Sequence, residues 1–298
     1  MVDLSGSWLK LGDADLVKAL HETVVKEFGK KALQYTDTAG APEPREELRR
    51  LLERLGFGRH AVLFTASLAD SLRLVAEVHL DPGECISPED PTQREVLPYA
   101  KCGRPKAVYV QPYWRCPDGY IYTAEELRRA EEEAPMVIYD LTYSLLRGEA
   151  PHVAKRSIAV GSLDILFPGL HLGFLAVPPE LEPYYLSIQE GAYLHVSTYM
   201  QYLFYVALRS GAVYEAFREL QRRQAVVKER LGGSVTPYFV WYKPPSQRLR
   251  DMFLSHGAVP GSAHSRTGRF AEYVRLGITS ATEEELADFL SKIPLQEL

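Results

Sequence analysis

The chain has 298 residues, 46% of them hydrophobic and 24% charged, with a net charge of −5. That is enough chain for one large core, or for a large domain with a small one. No basic block interrupts the acidic balance, which argues against nucleic acid as a partner, and no run of eighteen apolar residues is present to cross a membrane.

The order of predicted elements is that of an α/β protein with a mostly parallel sheet. Residues 13–28 predict an amphipathic helix, and a Gly/Pro loop leads to a charged helix over 45–55. The apolar run 61–65 predicts a buried strand, followed by a helix over 67–79 and a turn at Asp81-Pro82-Gly83. A short strand (85–87), a helix from about Pro91, a strand at 107–110, a helix over 123–133 and a strand over 136–140 come next. Two more strands, 157–162 and 171–177, flank a loop with Pro168-Gly169. Residues 179–231 are then almost all helical, with breaks expected at Gly191 and Gly211. The last part predicts a strand (237–242), a helix (246–256), a strand (272–278) and a helix (282–292). The divisions expected are an N-terminal helical arm (1–30), a large domain (31–215) and a small α+β domain (216–298), joined through the long helix over 212–231.

Cys85, Cys102 and Cys116 are few, odd in number and without metal-ligand spacing, which predicts a reducing compartment and no disulfide framework. The eight histidines show no metal-type pairing. The start of the chain lacks the apolar stretch of a secretory leader. These features together predict a cytoplasmic protein. The sequence contains no asparagine. Asparagine is thermolabile, so this composition predicts a thermophilic origin.

Five stretches, in order, carry a family resemblance: LQYTDTAGAPEPREEL (33–48), FTASLADSLRLVAEVHLDPGECISPEDPTQ (64–93), VIYDLTY (137–143), VGSLDILFPGLHLGFLAVPPEL (160–181) and YVRLGITSATEEEL (273–286). Together the chain resembles the class I/II aminotransferases of fold type I, most nearly the branch with 2-aminoadipate and kynurenine aminotransferases. The resemblance implies a large domain with a mostly parallel, seven-stranded-type sheet and a small domain. It also implies a homodimer, and pyridoxal phosphate held between the domains. The chain is shorter than a typical member, and between Gln93 and Met136 it has room for about one strand-plus-helix passage where the family has two.

The resemblance also shows what has been replaced. The family's Schiff-base lysine stands four residues before the proline of its PGLR motif; here that position is Asp164, and no lysine lies between Lys155 and Lys228. A carboxylate cannot form an imine. Leu163 takes the place of the preceding serine, and His171 that of the phosphate-binding arginine. Gln93 takes the place of the aromatic that stacks on the ring, and Cys116-Pro117-Asp118-Gly119 is the nearest counterpart of the asparagine turn. The helix N-terminus at Ser67 persists as an anion site. Asp140 matches the family's partner for the pyridine nitrogen, or caps a nearby turn. Tyr143 matches the tyrosine beside the phenolic oxygen, or simply packs. Tyr35 matches the tyrosine that reaches the neighbouring subunit. Arg275 matches the arginine that grips the substrate carboxylate, or forms a salt bridge.

The expectation is therefore an aminotransferase-like pseudoenzyme, with no cofactor or weakly bound pyridoxal phosphate, no catalytic residue and no metal. It would bind a small carboxylate or a paralogous aminotransferase. Two alternatives stay open: an enzyme that uses pyridoxal or pyridoxamine phosphate non-covalently on an amino or 2-oxo acid, and an active transaminase with a relocated lysine.

Overall fold

A computed structural model describes residues 2–6, 8–101, 103–147 and 156–294. The main sheet has six strands among these: β1 (Ala61–Thr65), β2 (Glu84–Pro88), β3 (Arg104–Val110), β4 (Val137–Asp140), β5 (Ile158–Ser162) and β6 (Gly173–Val177). Their order is β1-β6-β5-β4-β3-β2. β2 to β5 pair in parallel, and β6 runs antiparallel to both its neighbours. Between Gln93 and Met136 there is one strand, β3, so six strands stand where seven were expected.

Helices cover both faces, which is why β4, β5 and β6 read as near-continuous apolar runs. Alternation then sorts the side chains. Val62 and Phe64 of β1 and Tyr139 of β4 face one core with α1 (Ala14–Ala32), α2 (Pro42–Arg54), α6 (Thr198–Arg209) and α7 (Ala212–Leu231). Leu63 and Ile138 face the other, with α3 (Leu68–His79) and α5 (Glu182–Tyr193). Local chemistry sets the helix starts. Thr123 and Glu126 form a reciprocal capping box at α4 (Ala124–Glu133).

A second, antiparallel sheet holds β7 (Ser234–Val235), β8 (Phe239–Tyr242), β9 (Val259–Pro260) and β10 (Val274–Gly277), in the order β7-β8-β10-β9. It packs with α8 (Gln247–Ser255) and α9 (Glu283–Ser291) around Val240, Leu249, Phe253 and Leu276.

Several sequence expectations are corrected. The helix expected from Pro91 is a 3-10 turn over Arg94–Tyr99, because Pro98 disfavours α-helical geometry at the residue before it. Gly191 lies inside α5; the break comes at Leu194, after which Ser197 caps α6. β8 begins late because the Thr236 hydroxyl accepts from the amides of Tyr238 and Phe239, a local turn that competes with strand pairing. Cys85 is disulfide-bonded, contrary to the expectation of no disulfide. Such pairing is set by which segments the fold brings together, and spacing alone does not reveal it. Cys116 is free and buried, and burial pushes its thiol up to about 12.

Candidate active-site cavity

The loops after the parallel strands converge on one cavity of about 430 Å³. Ser67 to Ala69 follow β1, Gln93 to Glu95 follow β2, Cys116 follows β3, Thr142 and Tyr143 follow β4, and Ser162 ends β5. This is the usual position for a ligand in an open α/β sheet, outside the carboxyl ends of the strands. The small sheet closes the cavity with Arg275 and Thr279, and the N-terminal segment adds Gly6, Trp8 and Leu9.

Asp164 lines this cavity, and no lysine is among the described residues that do. Lys155 lies outside the described residues. The Asp164 carboxylate braces the loop between β5 and β6, where its Oδ1 accepts from the Leu172 amide at 2.9 Å. Burial pushes this carboxyl above its ordinary value, while the Leu172 amide, Ser162 and His171 pull it back. The folded state therefore binds the proton more tightly than the unfolded chain, and ionised Asp164 costs stability above its folded pKa. Asp164→Asn keeps an acceptor for Leu172 and removes that cost. The variant should gain about 1 kcal/mol at pH 7. In thermal melts the gain should shrink as pH falls through the raised folded pKa and vanish below the unfolded one; a pH-independent gain would refute this account.

Asp140 is 1% exposed and does not line the cavity. It accepts from Tyr109, from Gln111 at 2.7 Å, and from the amide and hydroxyl of Thr142 at 2.9 and 2.5 Å. It is thus a saturated turn cap beneath the cavity floor. Burial pushes its carboxyl upward and these donors oppose the shift. Tyr143 lines the cavity, packed against Tyr238 and Phe239 with ring centroids 4.9 and 5.2 Å away. His171 lines the cavity in an exposed, left-handed conformation (φ 43°). Tyr35 lies apart: it is 83% exposed, with its ring edge on His195.

At the helix N-terminus, Ser67 caps α3 by accepting from the Asp70 amide at 3.1 Å. Asp70 itself reaches back and takes the Ala66 amide at 3.0 Å. It also takes the Tyr193 hydroxyl at 2.5 Å and the Arg73 guanidinium at 2.8 Å. A carboxylate of the protein thus occupies a position at the mouth of the loop where an external anion would seek the same donors.

Arg275 is 6% exposed. Its two Nη groups donate to consecutive main-chain carbonyls, Ser5 at 2.8 Å and Gly6 at 2.5 Å, and its guanidinium lies over the Phe239 ring. Its Nε is buried and has no partner among the described residues. Glu95, His264 and Trp8 also line the cavity, and no motif in the sequence marks them.

No family model matches. An uncharacterised aminotransferase of Saccharolobus solfataricus is 22% identical over 344 residues, covering 93% of this chain and 86% of the relative. The kynurenine aminotransferase of Pyrococcus horikoshii superposes with a TM-score of 0.76 at 18% identity, over 97% of this chain and 89% of that one. An archaeal alanine:glyoxylate aminotransferase gives 0.79 at 17%, over 100% and 91%. The fold is the aminotransferase fold. The α-aminoadipate aminotransferase of Thermus thermophilus, complexed with N-(5′-phosphopyridoxyl)-L-leucine, gives 0.74 at 19%, over 97% and 90%. Within this aminotransferase fold no described helix is long and apolar enough to cross a membrane. No group of three or more His, Cys, Asp or Glu is placed to hold a metal ion among the described residues.

Proposed function

We propose that this chain is an aminotransferase-fold protein that has given up covalent pyridoxal phosphate and transamination, and uses the cavity as a ligand-binding site. The observation that carries the reading is Asp164, which stands in the lysine position and is bonded to the Leu172 amide in a cavity with no lysine among its described lining residues. Bound pyridoxal phosphate would supply an electron sink for amino-acid chemistry. The residues present do not fit it. Asp140, the partner for a pyridine nitrogen, is saturated by protein donors. Asp70 takes the Ala66 amide of the loop, and the Arg275 Nη groups are already paired. Two further carboxylates, Asp164 and Glu95, line the cavity and repel a dianion. A homodimer in which exposed Tyr35 contacts the second copy remains part of the proposal. So does a thermophilic host: intracellular disulfides are a trait of hyperthermophiles, and the bond at Cys85 and the asparagine-free composition agree on this.

A pyridoxal phosphate titration followed by absorbance, borohydride reduction and mass spectrometry tests the reading. The expected result is no internal-aldimine band and no cofactor-sized adduct on any lysine at stoichiometric cofactor. A single specifically modified lysine would overturn the proposal and restore a transaminase.

A further inference from the structure

The cavity wall holds acceptors without donors. Glu95, in the 3-10 turn after β2, has no hydrogen bond or ion pair to a described residue, and its Oε2 is fully buried. Asp164 uses Oδ1 for the Leu172 amide, with Ser162 beside the carboxyl; it has no ion pair to a described cation. His264 is 2% exposed and lines the same cavity. Its Nδ1 lies 2.9 Å from the Thr92 carbonyl. A carbonyl only accepts, so Nδ1 carries the proton and Nε2 presents a bare lone pair. That Nε2 has no partner. Burial, with Arg275 nearby, drives the ring down to about 3, so it stays an acceptor at neutral pH.

The neighbouring cations do not answer these groups. Arg275 spends both Nη groups on Ser5 and Gly6, and its buried Nε meets none of these acceptors. Arg94 and His171 are exposed at the rim. Buried polar groups in folded proteins have partners, and a buried carboxylate without one calls for a cation, a proton donor or water. Trp8, Tyr143 and Tyr238 also line the cavity, and aromatic faces favour organic cations.

From this juxtaposition of Glu95, Asp164 and His264 in one cavity we infer that the ligand is a small organic amine without a phosphate group. Its N–H groups pair with the two carboxylates and with His264 Nε2. The inference rests on the reading that no phosphorylated cofactor fills the cavity. It differs from the charge preference expected from the resemblance: the Ala66 amide and both Arg275 Nη groups are taken by the protein's own oxygens.

Isothermal titration of the full chain with 1,4-diaminobutane, against succinate of the same carbon length and against pyridoxal phosphate, tests it. The diamine should bind saturably at one site. Glu95→Gln and Asp164→Asn, each checked for an intact melting transition, should weaken it by about tenfold or more, the usual scale for a charge-assisted hydrogen bond. Succinate should not bind. Succinate binding more tightly than the diamine, diamine binding unchanged in both variants, or binding by none of the three would each overturn this inference and leave the proposed function standing. A borohydride-trapped lysine adduct of pyridoxal phosphate would instead overturn the proposed function itself.

Discussion

Arg223→Met should lower stability by about 4 kcal/mol, the scale for breaking a buried ion pair by removing one partner. Arg223 is 0% exposed, the largest fully buried side chain among the described residues. From α7 its Nη1 donates to the Thr279 carbonyl at 2.8 Å, and more weakly to that of Ile278 at 3.4 Å. Its Nη2 bonds the Lys10 carbonyl and the Glu219 carboxylate. One guanidinium therefore ties the long helix to the loop after β10 and to the N-terminal segment, both of which wall the cavity. Methionine keeps most of the apolar stem and loses every bond, so the loss is electrostatic rather than a packing cavity. In a protein of this size such a loss lowers the melting temperature by roughly 10 °C. Glu219 would remain beside the vacated position, with the Gly12 amide 3.3 Å away. Glu219→Gln in the Arg223→Met background should therefore recover part of the loss, giving a double variant more stable than the sum of the two changes. Strict additivity in thermal or denaturant melts would mean that the pair is not coupled and that the main-chain bonds carry the whole effect.

Which parts of this arrangement could be seen in the sequence follows from the range of the interactions. Helix starts were legible because their chemistry is local: Thr123 with Glu126 and Thr282 with Glu285 sit three residues apart and form capping boxes. β5 and β6 were legible because strands buried on both faces leave continuous apolar runs. Asp164 could be singled out because the count runs back four residues from the Pro168-Gly169 loop. The partners of the site residues were not. Arg275 was expected to grip a carboxylate or form a salt bridge, and it bonds carbonyls about 270 positions away. An arginine has the same identity in all three roles, and only the fold decides which oxygens reach it. Asp140 was open between a ring partner and a turn cap for the same reason, and the Thr142 amide and hydroxyl give it the cap. Glu95 escaped notice because a glutamate after a proline reads as a solvated helix start, whereas here a 3-10 turn carries it onto the cavity wall.

Gly277→Ala should loosen the N-terminal segment from the cavity and cost about 3 kcal/mol, in the range for overpacking a site with no room to adjust. A Cβ on Gly277 would come within 2.3 Å of the Gly6 Cα, and one on Gly6 within 2.4 Å of the Gly277 Cα. These are backbone atoms and cannot swing away as a flexible side chain does. Gly6 also has φ 44°, a left-handed conformation that an L side chain strains. The approach is held from both sides: the Gly277 amide donates to the Leu4 carbonyl at 2.7 Å, and Arg275, two residues before it on β10, holds Ser5 and Gly6. Forcing the strands apart must therefore break the Arg275 bonds as well. Hydrogen exchange should show lost protection at the amides of Leu4, Gly277 and Lys10, the last of which donates to Thr279 at 2.9 Å. The released guanidinium would then be free to bind carboxylates, so the variant should bind succinate more tightly than the parent chain does. An alanine variant with unchanged melting temperature and unchanged Leu4 protection would show that the two backbones do not meet. A destabilised variant that still ignores succinate would show that Arg275 remains engaged by the N-terminal carbonyls even when the strand contact is lost.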